Sequence, residues 1–286
     1  MVSEMDLNNS VAVVTGAASG IGRAVAMQLA SSGVRVVASD IEEPPLAETC
    51  RVIHEAGGEA TAYRSDVSSW ESVEALRQFA ESTYGPVDIV MNNAGVSGTG
   101  GIADAALEAW EWTLGVNLFG VIHGLKAFVP GMVERGRGHV INTASIAGHV
   151  AWSGMGAYCA SKFAVSAITE CLHQEMLAGD TGVGVTCLCP GFVATNIIGS
   201  ERNRPEHLLS EGDSDMPSEI RDAVADAYAA QLPPERVAEM VEAAIVDNQF
   251  WVFTDDMVDH QIAQRHRDIE SRTNPAARKH LIEHIL

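Results

Sequence analysis

The chain is poor in three features, and each shortage removes a class of protein. Its 286 residues include only five cysteines: Cys50, Cys159, Cys171, Cys187 and Cys189. The number is odd and no C-x-x-C occurs, so neither a disulfide framework nor a zinc site is expected. Cys187 and Cys189 alternate along an apolar run and are expected to pack as small hydrophobes. Basic residues are also scarce. Against 38 Asp and Glu stand 18 Lys and Arg, a formal charge of −20. Such a surface repels phosphate backbones and anionic lipid, so neither nucleic acid nor a membrane surface is an expected partner. Finally, no uninterrupted apolar run approaches the roughly 20 residues of a membrane helix. The opening MVSEMDLNNS lacks the basic-then-apolar layout of a signal peptide. The expected location is cytoplasmic. His280 and His284 are four apart but lack a third ligand, so no metal is expected.

What is present is a core's worth of apolar sequence, 47% of residues, without a linker or an internal repeat. Strand-like runs are expected at Val11–Thr15, Val34–Asp40, Ala60–Ser65, Val87–Asn92, His139–Ala144, Val183–Cys189 and Phe250–Phe253. Helical stretches alternate with them, at Gly20–Ser32, Leu46–Ala56, Ser69–Tyr84, Leu107–Glu134, Met155–Leu177 and Pro234–Asp247. Alternation of this kind implies an α/β fold: one domain with a doubly wound parallel seven-stranded sheet and helices on both faces. Two segments fall outside it. Thr195–Leu232 is a polar insertion, and Met257–Leu286 a charged tail expected to be helical.

The first strand runs into Thr15-Gly16-Ala17-Ala18-Ser19-Gly20-Ile21-Gly22 and then directly into a helix. Glycines let a backbone turn tightly and approach a pyrophosphate, while the helix N-terminus offers free N–H groups. The spacing is G-x-x-x-G-x-G rather than G-x-G-x-x-G, and a plain tight turn is the alternative. Asp40 ends the second strand, where a carboxylate can accept bonds from ribose hydroxyls and repel a 2′-phosphate. Its neighbours Ala17, Ala18 and Ile41 carry no positive charge, which favours NAD over NADP. Asp40 could equally cap the next turn, or do both.

Tyr158 and Lys162 are four apart on an expected helix and share a face. A phenol is a poor base at neutral pH, and a nearby ammonium favours its ionised form. Ser145, thirteen residues earlier, lies just past the fifth strand, at the carboxyl edge of the sheet where ligands bind. Asn117 sits mid-helix, where asparagine is an indifferent helix former.

Taken in order, these motifs resemble the short-chain dehydrogenase/reductase family. The matching elements are T-G-x-x-x-G-I-G at Thr15–Gly22, Asp66-Val67, N-N-A-G at Asn92–Gly95, Asn117, the Ser145/Tyr158/Lys162 set and P-G-x-x-x-T at Pro190–Thr195. The likeness runs from about Asn9 to Phe253. It implies that Tyr158 is the general acid/base, that Lys162 lowers its pKa and bonds the nicotinamide ribose, and that Ser145 orients the substrate oxygen. It further implies that Asn117 holds a water linked to Lys162. The cofactor would rest on Gly16, Ser19, Gly20, Ile21 and Gly22, with Asp66 and Val67 about the adenine. Asn93, Ala94, Gly95 and Pro190 would line it, and Val193 and Thr195 would hold the carboxamide. Asn92 would buttress the sheet.

The activity implied is NAD-dependent interconversion of an alcohol, expected to be secondary and fairly apolar, with its carbonyl. An NADPH-dependent ketone or 3-oxoacyl-type reductase, and a non-enzymatic NAD-binding protein, are the alternatives. The resemblance also implies a homo-oligomer, a tetramer or dimer. The insertion Thr195–Leu232 is expected to form a substrate lid. Phe192, Ile197, Ile198, Leu208 and Leu209 are its candidate walls, and Glu201, Arg202, Arg204, Glu211 and Asp213 its polar exterior. His149, Trp152 and Met155 stand near Tyr158, with substrate contact an open question, and Trp110 and Trp112 are expected to pack a helix.

Overall fold

All five residues of Val11–Thr15 (β1) are buried, because the strand is covered on both faces. Ala12 and Val14 face one apolar layer with Leu29, Val36, Val241 and Ile245. Val11 and Val13 face the other, with Leu76, Val90, Phe128 and Met132. The computed structural model describes residues 5–98, 100–209 and 218–277. The remaining strands among these residues are Arg35–Asp40 (β2), Glu59–Arg64 (β3), Ile89–Asn92 (β4), Gly138–Thr143 (β5), Val183–Cys189 (β6) and Trp251–Phe253 (β7). They form one parallel sheet in the order β3-β2-β1-β4-β5-β6-β7. Val13 pairs with Val37 on one side and Val90 on the other. The chain therefore reverses its direction of strand addition between β1 and β4. Such a switch point opens a crevice at the carboxyl ends of the strands.

Gly20–Ser31 (α1) and Glu43–Glu55 (α2) follow β1 and β2. The second begins three residues earlier than expected, since Pro44 and Pro45 suit a first helical turn rather than a loop. Trp70–Tyr84 (α3) is capped by Ser69, whose hydroxyl accepts from Ser72 N at 3.2 Å. The long helix expected at Leu107–Glu134 is Leu107–Leu114 (α4) and Gly120–Arg135 (α5), joined by a π-helical turn at Gly115–Phe119 that contains Asn117. By length and composition this rod could cross a membrane. Its apolar side chains are instead divided between the core, through Val121, Phe128 and Met132, and an exposed side bearing Leu107, Phe119 and Val133. Gly124 lets it lie close to the sheet: a Cβ there would stand 1.9 Å from Asn92 Oδ1.

Gly156–Ala178 (α6) carries Tyr158 and Lys162, and the insertion includes the helix Ser218–Ala229 (α7). Pro234–Val246 (α8) packs beside α1, and the tail contains Asp259–Ser271 (α9). His280 and His284 lie outside the described residues, as do Glu211 and Asp213 of the insertion. All five cysteines are free thiols; Cys187 and Cys189 are buried in β6 with sulfurs 3.8 Å apart.

His139, on β5, is buried with Nε2 2.8 Å from Thr186 Oγ1, and burial pushes its pKa down to about 3. The unfolded chain therefore takes up a proton below pH 6.5 that the native chain refuses until about pH 3. This contribution to stability is whole above pH 6.5 and is lost as pH falls through that window. By pH 5 the loss is on the order of 2 kcal/mol. Urea midpoints at pH 7 and pH 5 should separate less in His139→Gln than in the unsubstituted protein. Equal separations would show that His139 is not the group being titrated.

Candidate active site

The crevice at the switch point is a cavity of about 450 Å³. All the site residues expected from the sequence, except Gly22 and Asn117, line it. At one end stands the glycine turn. Gly16 adopts φ +69°, a conformation that other residues rarely take. Gly22 lies beneath it: a Cβ there would come within 2.2 Å of Gly16 O and 2.6 Å of Asn93 Nδ2. Substitution Gly22→Ala should therefore spread the turn and weaken dinucleotide binding tenfold or more, as read by NADH fluorescence titration. An unchanged dissociation constant would show the turn is not the cradle. Ser19 precedes α1 with an exposed side chain that caps nothing, and the helix's first turn holds no acidic residue. N–H groups and helix dipole are left for an anion.

Asp40 does two jobs. Its Oδ2 accepts from Ala18 N at 2.9 Å and its Oδ1 from Glu42 N at 3.1 Å, so it ties the glycine turn to the following loop. Burial outweighs these bonds and raises its pKa. Each carboxylate oxygen retains acceptor capacity for a ribose hydroxyl. Asp66 Oδ1 accepts from Ser68 N at 2.9 Å and from Ser68 Oγ at 2.7 Å, closing the turn that presents Val67. Asn93 is committed to the scaffold, with Nδ2 donating to Thr15 O at 3.0 Å and Oδ1 accepting from Thr143 Oγ1 at 3.3 Å. A Gly-rich cradle that a Cβ would fill, with a carboxylate at the end of β2, fits a nicotinamide dinucleotide.

At the other end are Ser145, Tyr158 and Lys162. Ser145 follows β5 and starts a short 3₁₀ turn, its Oγ accepting from Ala147 N at 3.1 Å. The same Oγ donates to Pro190 O at 3.4 Å, and the Ser145 hydroxyl neighbours that of Tyr158 and favours its ionised form. Lys162 Nζ donates to Thr143 O at 2.8 Å and lies 5.7 Å from the centre of the Tyr158 ring. Here burial decides the electrostatics. It pushes Tyr158 up to about 12, against the Ser145 hydroxyl, and Lys162 down to about 8. The expectation that the ammonium brings the phenol below its ordinary value is thus corrected: in this cavity desolvation wins and Tyr158 is a protonated phenol at neutral pH.

Asn117 is wholly buried behind the cavity. Its Oδ1 accepts from Val96 N at 2.8 Å, and its Nδ2 donates to Val96 O at 3.0 Å and to Ser161 Oγ at 3.3 Å. The side chain is a brace for the strand end after β4, with its polar atoms already engaged. Asn92 is likewise structural, donating to Asn142 Oδ1 at 2.8 Å. His149 packs against Trp251 and Phe253 with Nε2 3.3 Å from Cys189 Sγ. Neither it nor Trp152 lines the cavity, whereas Met155 does.

A family model described as short chain dehydrogenase matches residues 10–206. The chain belongs to the short-chain dehydrogenase/reductase family. It is 37% identical over 240 residues to the probable oxidoreductase EphD of Mycobacterium bovis, covering 79% of this chain but 40% of that one. It thus spans less than half the length of this relative. A short-chain dehydrogenase/reductase from Burkholderia phymatum, solved in complex with NAD, superposes with a TM-score of 0.91 at 36% identity, over 96% of this chain and 99% of that one. An actinorhodin polyketide ketoreductase solved with NADPH gives 0.73 at 32% identity, over 86% and 95%.

Within this dehydrogenase fold the insertion contributes residues that sequence reading did not single out. Arg202 and Asn203 both bond Glu42 beside Asp40, with Arg202 Nη2 2.5 Å from Glu42 Oε1 and Asn203 Nδ2 2.7 Å from it. The insertion therefore reaches the far rim of the cavity. Ser200 Oγ accepts from Ser97 N at 2.9 Å. Arg204 is not polar exterior: it is buried with its guanidinium 5.6 Å over the ring of Trp112, which is 5% exposed and lines the cavity. Ile197, Ile198, Leu208 and Phe192 are walls as expected, while Leu209 is 58% exposed and is not. Tyr228, on α7, also lines the cavity. No local pattern marks these residues, because their partners are as far as 161 positions away in the chain.

Proposed function

We propose that the chain interconverts a fairly apolar secondary alcohol and its carbonyl, using NAD in preference to NADP. The observation that carries this reading is one cavity with Asp40 at one end and the Ser145, Tyr158 and Lys162 set at the other. Gly16, Ser19 and the start of α1 would hold the pyrophosphate, and Asp40 the adenosine ribose. The bound dinucleotide would supply the hydride acceptor or donor. Ser145 holds the substrate oxygen beside the Tyr158 hydroxyl. In reduction, Tyr158 donates its proton to that oxygen as the carbonyl becomes an alcohol; in oxidation the phenolate takes it back. Lys162 stabilises the phenolate form. Its bond to Thr143 O fixes the ammonium in place, so little reorganisation accompanies the proton transfer.

The second reading, NADP in place of NAD, has one observation in its favour: Arg202 lies at the Asp40 rim. There it is paired with Glu42, and the two acidic residues would oppose a 2′-phosphate. With a reactive alcohol or ketone found by panel, kcat/KM should favour NAD over NADP by about tenfold or more. In Asp40→Ser with Glu42→Gln, Arg202 is released and that preference should narrow or reverse. A preference for NADP in the unsubstituted protein would overturn the assignment. Silence across the alcohol and ketone panel with both cofactors, despite bound NADH, would favour a non-enzymatic NAD-binding protein.

A further inference from the structure

We propose that Tyr228 holds a second oxygen on the substrate, so that the ketone or alcohol handled by Tyr158 carries another hydroxyl or carbonyl on an otherwise apolar body. The proposal rests on the alcohol/carbonyl reading above and narrows it. Tyr228 sits on α7 and lines the cavity that Tyr158 lines. Its ring meets Phe192 edge-on at 5.4 Å, within an apolar cluster that also includes Ile146, Met155 and Tyr158. Two phenols thus share one apolar chamber. That of Tyr158 neighbours Ser145, whereas the hydroxyl of Tyr228 has no hydrogen-bond partner among the described residues. Burial raises the Tyr228 pKa, and a charge on Tyr158 raises it further, so the two rings sense each other and Tyr228 stays a neutral donor. His207 and Glu111 also touch the cavity, but both are exposed to water.

An entering substrate shuts solvent off from the Tyr228 hydroxyl. A hydrocarbon at that point leaves the hydroxyl unpaired; an oxygen replaces the lost bond. A site built this way discriminates against the analogue lacking the oxygen. The expected discrimination is about 5- to 150-fold.

The test uses phenyl ketones bearing a hydroxyl one, two or three carbons from the carbonyl, each beside its deoxy parent. They are compared in the unsubstituted protein and in Tyr228→Phe. The reading is the ratio of kcat/KM for a hydroxy ketone to that for its parent, which cancels intrinsic reactivity between the two proteins. For at least one position of the hydroxyl, Tyr228→Phe should lower that ratio fivefold or more. Dissociation constants measured with NADH present should show the same differential, independently of turnover. A substitution that lowers both members of every pair equally assigns Tyr228 a structural role and overturns the proposal. So does the absence of any differential in turnover and in binding across the series. A differential in binding with no turnover of any ketone would leave Tyr228 in place and overturn the alcohol/carbonyl reading instead.

Discussion

Replacement of Tyr158 by Phe should lower kcat by about 10²- to 10⁴-fold in both directions, the range a positioned general acid/base supplies. Phenylalanine keeps the ring that packs with Ile146 and Phe192, so the chamber retains its walls. What disappears is the hydroxyl beside Ser145 and the proton it carries. Dinucleotide affinity should change little, because Asp40 and the glycine turn are at the other end of the cavity; NADH fluorescence titration checks this. The pH profile is a second check. With Tyr158 held at about 12, reduction draws on the abundant phenol and should be flat through neutral pH. Oxidation draws on the scarce phenolate paired with the Lys162 ammonium, so it should climb by up to about tenfold per pH unit from pH 7 and level off above about 8, where Lys162 gives up its proton. Near-normal turnover in Tyr158→Phe, or oxidation flat from pH 7 to 9, would place the proton transfer elsewhere.

The second large effect belongs to Lys162. The ammonium lies 5.7 Å from the centre of the phenol ring, where its charge favours the phenolate over the neutral phenol. Lys162→Met removes this support and should cut turnover at neutral pH by about 10- to 100-fold. Because the reaction equilibrium ties the two directions together, oxidation and reduction should fall alike.

Stability should move the other way. The pKa of Lys162 is about 8 in the fold against an ordinary 10.5. Between these values the native chain binds fewer protons than the unfolded one, so stability rises as pH goes from about 8 to 10.5. Below pH 8 the buried charge costs on the order of 3 kcal/mol, offset in part by the bond to Thr143 O, worth about 1–3 kcal/mol. The methionine variant should therefore be as stable as its parent or more so at pH 7. It should also lack the parent's gain between pH 8 and 10, measured by urea unfolding at both. A variant destabilised by several kcal/mol that keeps the parent's pH slope would show that Lys162 carries no desolvation cost.

Much of this was legible along the chain. Buried runs such as Val11–Thr15 and Val183–Cys189, separated by helical stretches, dictate a doubly covered parallel sheet, since that packing alone buries every residue of such strands. The glycine turn, Asp40 and the Tyr158/Lys162 pair are local signals: a turn needs glycine at a positive φ, and residues four apart on a helix share a face wherever the helix goes. Boundaries shifted by a few residues where local chemistry was misread, as at Pro44 and Pro45.

Interactions across the fold were not legible. The Glu42–Arg202 contact, the stacking of Arg204 on Trp112, and the meeting of Tyr228 with Phe192 depend on where the insertion folds back over the crevice. No periodicity encodes that path. The sign of the Tyr158 shift was hidden for the same reason. Sequence alone determined that a lysine stands one helical turn from a tyrosine, and thus which groups act. Only the tertiary structure decided how dry their surroundings are, and desolvation, unlike spacing, is a property of everything packed around them.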